Sequence, residues 1–329
     1  MAMAFTAAVH QGLAADPPVT LEQLRDSTLS IGLALGGGGA KGLAHIGVIQ
    51  ALEEAGIRID YIAGTSMGAL IGAAYASGFP IDTLEKIATE TDWKTTAKLF
   101  SPALSASGFI DGKKVKDFLH TIYGDKKIED LPIPFAATAT DISDGKPYVI
   151  NKGSVLEAVR ASISIPVVFT PVQHANAFLV DGGLVNAVPI DIVREMGADY
   201  VIAVHIVHTV LPSQEKEYIE IQSPGAEKHK PVSLETLSHR INEFISKVKN
   251  QKEDAKPTEK NALPKIARIS QNSVHISADA IANLQVALYK PELLIEPDTR
   301  QITLYEFYRG KEAVGIGYNE AKKVLNSLK

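Results

Sequence analysis

Three short stretches of the chain carry residue types that can do chemistry together. The first, Gly36-Gly-Gly-Gly-Ala-Lys-Gly42, follows the apolar run Ile31 to Leu35 and precedes a helical pattern. Glycines at such a junction let the backbone turn tightly, and the helix start leaves unpaired N–H groups pointing outward. That is an anion site, suited to a phosphate or to a developing oxyanion. Gly37-x-Gly39-x-x-Gly42 also satisfies a dinucleotide fingerprint, which needs an acid at the C-terminal end of the next strand. Asp60 instead sits at the N-terminal end of that strand, and no Gly-Lys-Ser/Thr follows at phosphate-loop spacing, so nucleotide binding is demoted.

The second stretch, Gly64-Thr65-Ser66-Met67-Gly68, lies between a strand signal and a helix signal. Small residues two before and two after a serine permit the strained turn that lifts its hydroxyl above a sheet edge; the bland alternative is a helix start with Ser66 as N-cap. A serine hydroxyl needs a base to become a nucleophile. Among nine histidines, His205 is the best placed, because Ser66, then Asp181 or Asp199, then His205 gives a triad in chain order.

The third stretch offers another base. Phe178-Leu-Val-Asp181-Gly-Gly183 puts an acid at the end of a strand. If that strand is parallel with the first two, Asp181 shares the sheet edge of Ser66, where ligands of open α/β sheets bind. A carboxylate with its ordinary pKa of about 4 is a weak base, so burial must raise it. An acid capping a tight turn is the plainer reading of Asp-Gly. On the residues alone both bases stay open.

Positioning these groups falls to alternating strand and helix signals between residues 31 and 205, the pattern of a mostly parallel sheet covered by helices. Strands are predicted at 31–35, 61–63, 135–140, 147–150, 178–180 and 200–205. Helices are predicted at 43–54, from 67 to a stop at Gly78 and Pro80, at 81–90, 113–123, 154–160 and 190–196, and near 319–328, with 281–288 and 293–295 as further elements toward the C-terminus. Ser143-Asp-Gly-Lys146 reads as a hairpin turn, and Ser154-Val-Leu-Glu157 as a capping box. Trp93, Phe100 and Phe109 fall between two predicted helices, either as core or as part of a cover over the site.

The 329 residues are 45% hydrophobic and 22% charged, enough apolar material for one large core with an appendage. A formal charge of −5 argues against nucleic acid as a partner, and the absence of cysteine excludes disulfides, thiolate metal sites and a cysteine nucleophile. No apolar run reaches the ~18–20 residues of a membrane helix. Residues 1–28 read as an N-terminal tail or signal-like segment. Residues 1–15 are small and apolar but lack the basic n-region, so export or the cell envelope stands beside a cytoplasmic location. A catalytic domain spans 29–210. A charged segment, 211–262, follows, with nine Lys or Arg and nine Asp or Glu between 212 and 260, and 263–329 is a C-terminal element of unknown role.

Taken together, Gly37-Gly-Gly-Ala-Lys-Gly42, Gly64-Thr-Ser-Met-Gly68 and Asp181-Gly-Gly183, in this order, resemble the patatin-like phospholipase family. Ala161-Ser-Ile-Ser-Ile-Pro and Asn186 to Pro189 look like family pattern as well. The resemblance implies a three-layer α/β sandwich, with a mostly parallel central sheet between helices and a small C-terminal element. It implies a serine acyl hydrolase of the phospholipase A or lysophospholipase kind, using a Ser66–Asp181 dyad, an acyl-enzyme, and no metal or cofactor. Gly37, Gly38 and Gly39 would form the oxyanion hole, supported by Lys41, Gly42, Gly64, Gly68, Gly182 and Gly183. Thr65 and Met67 would line an acyl groove. The implied partner is a lipid, free or at a membrane surface; the oligomeric state stays open. Two other readings remain, an α/β-hydrolase esterase with a Ser-His-Asp triad and a non-catalytic glycine-loop module that binds lipid or nucleotide.

Overall fold

The computed structural model describes residues 19–25, 28–90, 112–166, 168–206 and 266–328. Expectations for residues 1–18, for Trp93, Phe100 and Phe109, and for the charged segment fall outside them, while the end of the expected N-terminal tail holds a short helix that buries Leu21 and Leu24 in the core. The described residues up to Ile206 and from Ser270 onward belong to one compact unit. Of the second unit, Leu211–Ile269, only the first residues of a helix are described.

In chain order the elements are α1 (Leu21–Arg25), β1 (Ile31–Leu35), α2 (Ala44–Glu54), β2 (Tyr61–Thr65), α3 (Met67–Ala76) and α4 (Ile81–Glu90). Next come α5 (Gly112–Tyr123), β3 (Phe135–Asp141), β4 (Pro147–Ile150), α6 (Val155–Ser162), β5 (Val172–His174) and β6 (Ala177–Asp181). The remainder are α7 (Ile190–Glu195), β7 (Tyr200–Val204), α8 (Ile266–Tyr289), β8 (Leu293–Ile295) and α9 (Gly310–Asn326). The sheet runs β5-β6-β3-β2-β1-β7-β8, with β4 also paired to β3. Its β3-β2-β1-β7-β8 portion is parallel throughout.

Sheet composition sets the layers. Ile31, Leu33 and Leu35 of β1, Ile62 of β2 and Ile202 and Val204 of β7 share one core with α2, α3 and α9. The alternate positions are small: Ala34, Ala63, Ala136 and Ala203 form a second core with Val193 of α7 and Ala282 of α8. Gly32 lies on this small-residue face, and a Cβ there would come within 1.9 Å of Val193 Cγ1. Period-two alternation of large and small residues therefore sets how closely each helical layer approaches.

One expectation about the sheet is overturned. β6 is not parallel with the first strands; it pairs antiparallel with β3, through Ala139↔Asp181 and Asp141↔Leu179. Asp181 still reaches the shared edge, because β6 touches only the C-terminal end of β3 and enters from beyond it. The C-terminal residues also do more than expected: β8 extends the sheet, and α9 packs on α2 at backbone distance. A Cβ on Gly317 would lie 1.9 Å from the Ala44 carbonyl oxygen, and one on Gly47 would lie 2.0 Å from that of Val314.

Candidate active site

β2 ends at Thr65, α3 starts at Met67, and Ser66 between them is held at φ 54° and ψ −119°. A left-handed φ on a non-glycine residue costs roughly 1–3 kcal/mol and persists where the surroundings enforce it. Here the flanking glycines enforce it by close approach. A Cβ on Gly64 would meet Ala69 backbone at 2.5 Å, and one on Gly68 would meet the Leu35 carbonyl oxygen at 2.2 Å. The Ser66 N–H donates to Ser162 Oγ at 2.9 Å. Ser162 belongs to the 161–166 stretch, whose sequence gave no hint of that contact.

The Ser66 hydroxyl lies beside the Asp181 carboxylate, near enough to pull its pKa down. These two residues, 6% and 7% exposed, are therefore brought together from opposite parts of the sheet. Asp181 Oδ1 also accepts the Gly183 N–H at 2.8 Å, so the turn-capping role and the contact with serine coexist. The Asp181 N–H donates to the Ser164 carbonyl at 3.0 Å, and its own carbonyl accepts from Thr140 Oγ1 at 2.9 Å. Arg160, buried beneath, binds the Ser164 hydroxyl and the Thr170 carbonyl. Burial pushes the Asp181 carboxyl up to about 6, against the opposing pull of the Ser66 hydroxyl and the Gly183 N–H. Gly182 is required by contact, since a Cβ there would fall 2.4 Å from Thr138 Oγ1.

The glycine loop stands over this pair and is pinned at several points. Gly36 N–H donates to the Val204 carbonyl at 3.0 Å, and His45 Nε2 bonds the Gly36 carbonyl at 2.8 Å. Ala40 N–H donates to the Leu304 carbonyl at 2.9 Å. The expectation for the three loop glycines is narrowed: Gly37 N–H is committed to the Ala187 carbonyl at 3.1 Å. Among the described residues no acceptor meets the N–H of Gly38 or Gly39, which opens a short 3-10 turn. Gly42 yields room to Met67, whose Cγ would be 2.6 Å from a Cβ at that position. Lys41 is buried, which draws its pKa below the usual lysine range, while the Asp279 and Asp298 carboxylates offset part of that loss.

Two cavities meet at Ser66, sharing Gly39, Ile165 and Leu304 as walls. One is apolar, lined by Met67, Leu70, Leu84, Phe118, Ile122 and Phe169 among others. The other is the more polar of the two, with Asp181, His205, His275 and Asp279 set among apolar residues such as Leu184, Val188 and Val274 in its wall. Met67 thus takes its expected place in a groove. Thr65 does not: fully buried, its Oγ1 donates to the Asn186 carbonyl at 2.8 Å and pairs with Thr138 Oγ1 at 2.6 Å, tying β2 to β3 and to the loop after Asp181. His205 lines the polar cavity, but its Nδ1 faces Glu296 Oε1 at 3.3 Å, and no imidazole stands between Ser66 and Asp181. Gln285 of α8, unmarked in the sequence, accepts the N–H groups of Ala187 and Val188 at 2.9 and 3.1 Å and so fixes the carbonyl that holds Gly37. Among the described residues no group of three or more His, Asp or Glu side chains is arranged to hold a metal, and no helix is long and apolar enough to cross a membrane.

Comparison with known proteins shows the family. Residues 33–194 match the family described as patatin-like phospholipase. An uncharacterized NTE family protein of Mycobacterium tuberculosis is 30% identical over 346 residues, covering 94% of this chain and 95% of that one. The neuropathy target esterase sws of Drosophila melanogaster is 37% identical over 182 residues, which span 54% of this chain but 13% of that larger protein. The lysophospholipase nte1 of Aspergillus fumigatus is 37% identical over 183 residues, 54% of this chain and 12% of the relative. In fold, VipD from Legionella pneumophila superposes with a TM-score of 0.50 at 14% identity, over 91% of this chain and 67% of that one.

Proposed function

For a chain that belongs to the patatin-like phospholipase family, we propose a serine acyl hydrolase that cleaves the carboxylic ester of lipids through Ser66 and Asp181. The observation that carries this reading is the buried juxtaposition of a serine on a strained strand–helix turn and a carboxylate whose pKa is raised to about 6. Ser66 Oγ attacks the ester carbonyl as Asp181 takes its proton. The oxyanion that forms is met by the N–H groups of Gly38 and Gly39, with Gly37 anchoring the loop; one such donor is worth roughly 3–4 kcal/mol of barrier. Asp181 returns the proton to the departing alkoxide, leaving the acyl group on Ser66. The same carboxylate then draws a proton from water, whose oxygen attacks the acyl carbon and frees the acid and Ser66.

The two cavities supply the sidedness of this cycle. Apolar walls suit an acyl chain, at about 0.8 kcal/mol per buried methylene, and polar walls suit the leaving alcohol. Direct contact between Asp181 and Ser66 favours the dyad over a Ser-His-Asp triad. The test is a lipid panel, with monoacyl and diacyl phospholipids, a monoacylglycerol and p-nitrophenyl esters, assayed on wild type, Ser66→Ala and Asp181→Asn. Fluorophosphonate labelling accompanies the assays. Label on Ser66 and ester hydrolysis lost in both variants are the expected results. Hydrolysis that survives in purified Ser66→Ala would overturn the reading.

A further inference from the structure

His205 is buried in the wall of the polar cavity, one residue past β7, with its N–H donated to the Ile295 carbonyl at 3.0 Å. Its Nδ1 faces the Glu296 carboxylate, which only accepts, so a ring proton resides on Nδ1, and in that tautomer Nε2 presents a lone pair. That Nε2 is buried and, among the described residues, has no hydrogen-bond partner. A buried ring nitrogen left unmet in the wall of the cavity that holds Ser66 is a place for a hydrogen-bonding group of the substrate. The mechanism above makes no use of it.

The nature of that group follows from the other groups in the cavity. Asp279 and Asp181 are also acceptors when ionised, so the space beyond Ser66 is rich in acceptors and acidic on this side. An ester carbonyl or a phosphate oxygen brings only more acceptors, whereas a hydroxyl brings the missing proton. We infer that His205, oriented by Glu296, is a specificity-determining residue that accepts a hydrogen bond from a free hydroxyl next to the scissile ester, as on a glycerol carrying one acyl chain. The inference deepens the acyl-hydrolase reading and rests on it for the position of the ester. A second acyl group on that hydroxyl removes the donor and leaves acceptor facing acceptor, the kind of mismatch that discriminates strongly between substrates.

The test separates recognition from turnover by using ethers, which are not hydrolysed. Binding of 1-O-octylglycerol and of its 2-O-methyl derivative is measured by calorimetry below micelle formation, on the full chain. The same pair carrying a phosphocholine group shows whether the hydroxyl is read on a neutral glycerolipid, on a phospholipid, or on both. In wild type, methylation is expected to weaken binding at least tenfold, the order expected for one hydrogen bond to a buried group. In His205→Ala the two ethers bind alike, and His205→Gln, which keeps an acceptor, restores part of the difference. In parallel, kcat/KM of His205→Ala falls at least tenfold more on a monoacylglycerol than on p-nitrophenyl butyrate, which lacks the hydroxyl. Equal binding of the two ethers in wild type, an undiminished difference in His205→Ala, or equal losses on both esters would overturn the inference. Failure of the hydrolase reading itself would show separately, as p-nitrophenyl butyrate turnover that does not depend on Ser66, while the ether measurement still reads the cavity.

Discussion

The two cavities that meet at Ser66 differ as the two faces of the sheet differ. The apolar cavity opens among α3, α4 and α5 on the side of the large residues Leu33, Leu35 and Ile62, and its wall is made of side chains that pack as any core packs. The more polar cavity opens toward α8 on the small-residue face, and its wall mixes loop backbone, carboxylates and imidazoles with apolar residues such as Leu184, Val188 and Ala282. One side is shaped by volume and tolerates exchange of one apolar residue for another; the other is shaped by partners and does not.

The sharpest break of this contrast is at the junction both cavities share. Ser66→Ala is expected to remove at least ~10⁴-fold of kcat/KM on every ester while leaving the fold intact by circular dichroism. Asp181→Asn should cost about 10³-fold, within the range for loss of a general base, and it carries a second signature. The folded carboxyl titrates at about 6 against an ordinary 3.8, so the native state binds the extra proton between those values. Stability therefore falls as pH rises through that window, and the full cost, roughly 3 kcal/mol, is present above it. Asp181→Asn should accordingly raise the denaturant midpoint at pH 8 and flatten the pH dependence of stability between 4 and 6. The same value sets the activity profile: the base must be ionised, so kcat/KM of wild type rises through about pH 6 and levels off above it, the opposite of a profile limited by a protonated acid.

Next in size is the loop itself. Gly39 stands at φ 53°, and a Cβ there would lie 2.5 Å from Leu304 Cδ2 and 2.9 Å from the Leu304 carbonyl oxygen. Gly39→Ala should displace an oxyanion donor and lower kcat by about 100-fold with little change in KM. The smallest effect belongs to the apolar side. Ala74 lines that cavity from α3, and Ala74→Phe should raise KM for long-chain esters about tenfold relative to butyrate, at a stability cost of about 1–3 kcal/mol from overpacking. A chain-length series checks it: a uniform loss at all lengths would place the acyl chain elsewhere.

What could be read from the sequence follows the range of the interactions. The strand–turn–helix around Ser66 was legible because its glycines answer to atoms a few residues away, such as Ala69 for Gly64. The orientation of β6 was not, since a strand's direction depends on its partner, and no residue between Phe178 and Val180 encodes whether β3 lies antiparallel. Helix α8 was visible only as 281–288 because its first half is rich in Ser, Asn and His and carries no apolar stripe, yet it supplies His275, Asp279 and Gln285 to the centre. Helix α9 was placed at 319–328 instead of Gly310–Asn326, because Gly310, Gly315 and Gly317 read as helix breakers. Two of them are contact points: a Cβ on Gly310 would sit 2.2 Å from the Ala88 carbonyl oxygen, and one on Gly317 1.9 Å from that of Ala44. Thr65 was misread for a related reason. Its neighbours Ser66 and Met67 face the cavities, but a residue ending a central strand turns its side chain toward the next strand's hydroxyl.

The bond from Ala40 to the Leu304 carbonyl, with Gln285 gripping the loop that holds Gly37, has a bearing on how the molecule comes into being. The glycine loop is translated well before the residues that set its shape. A growing chain thus carries its serine before Gln285 and Leu304 exist to clamp the loop, and the site is complete only once they have been added and folded.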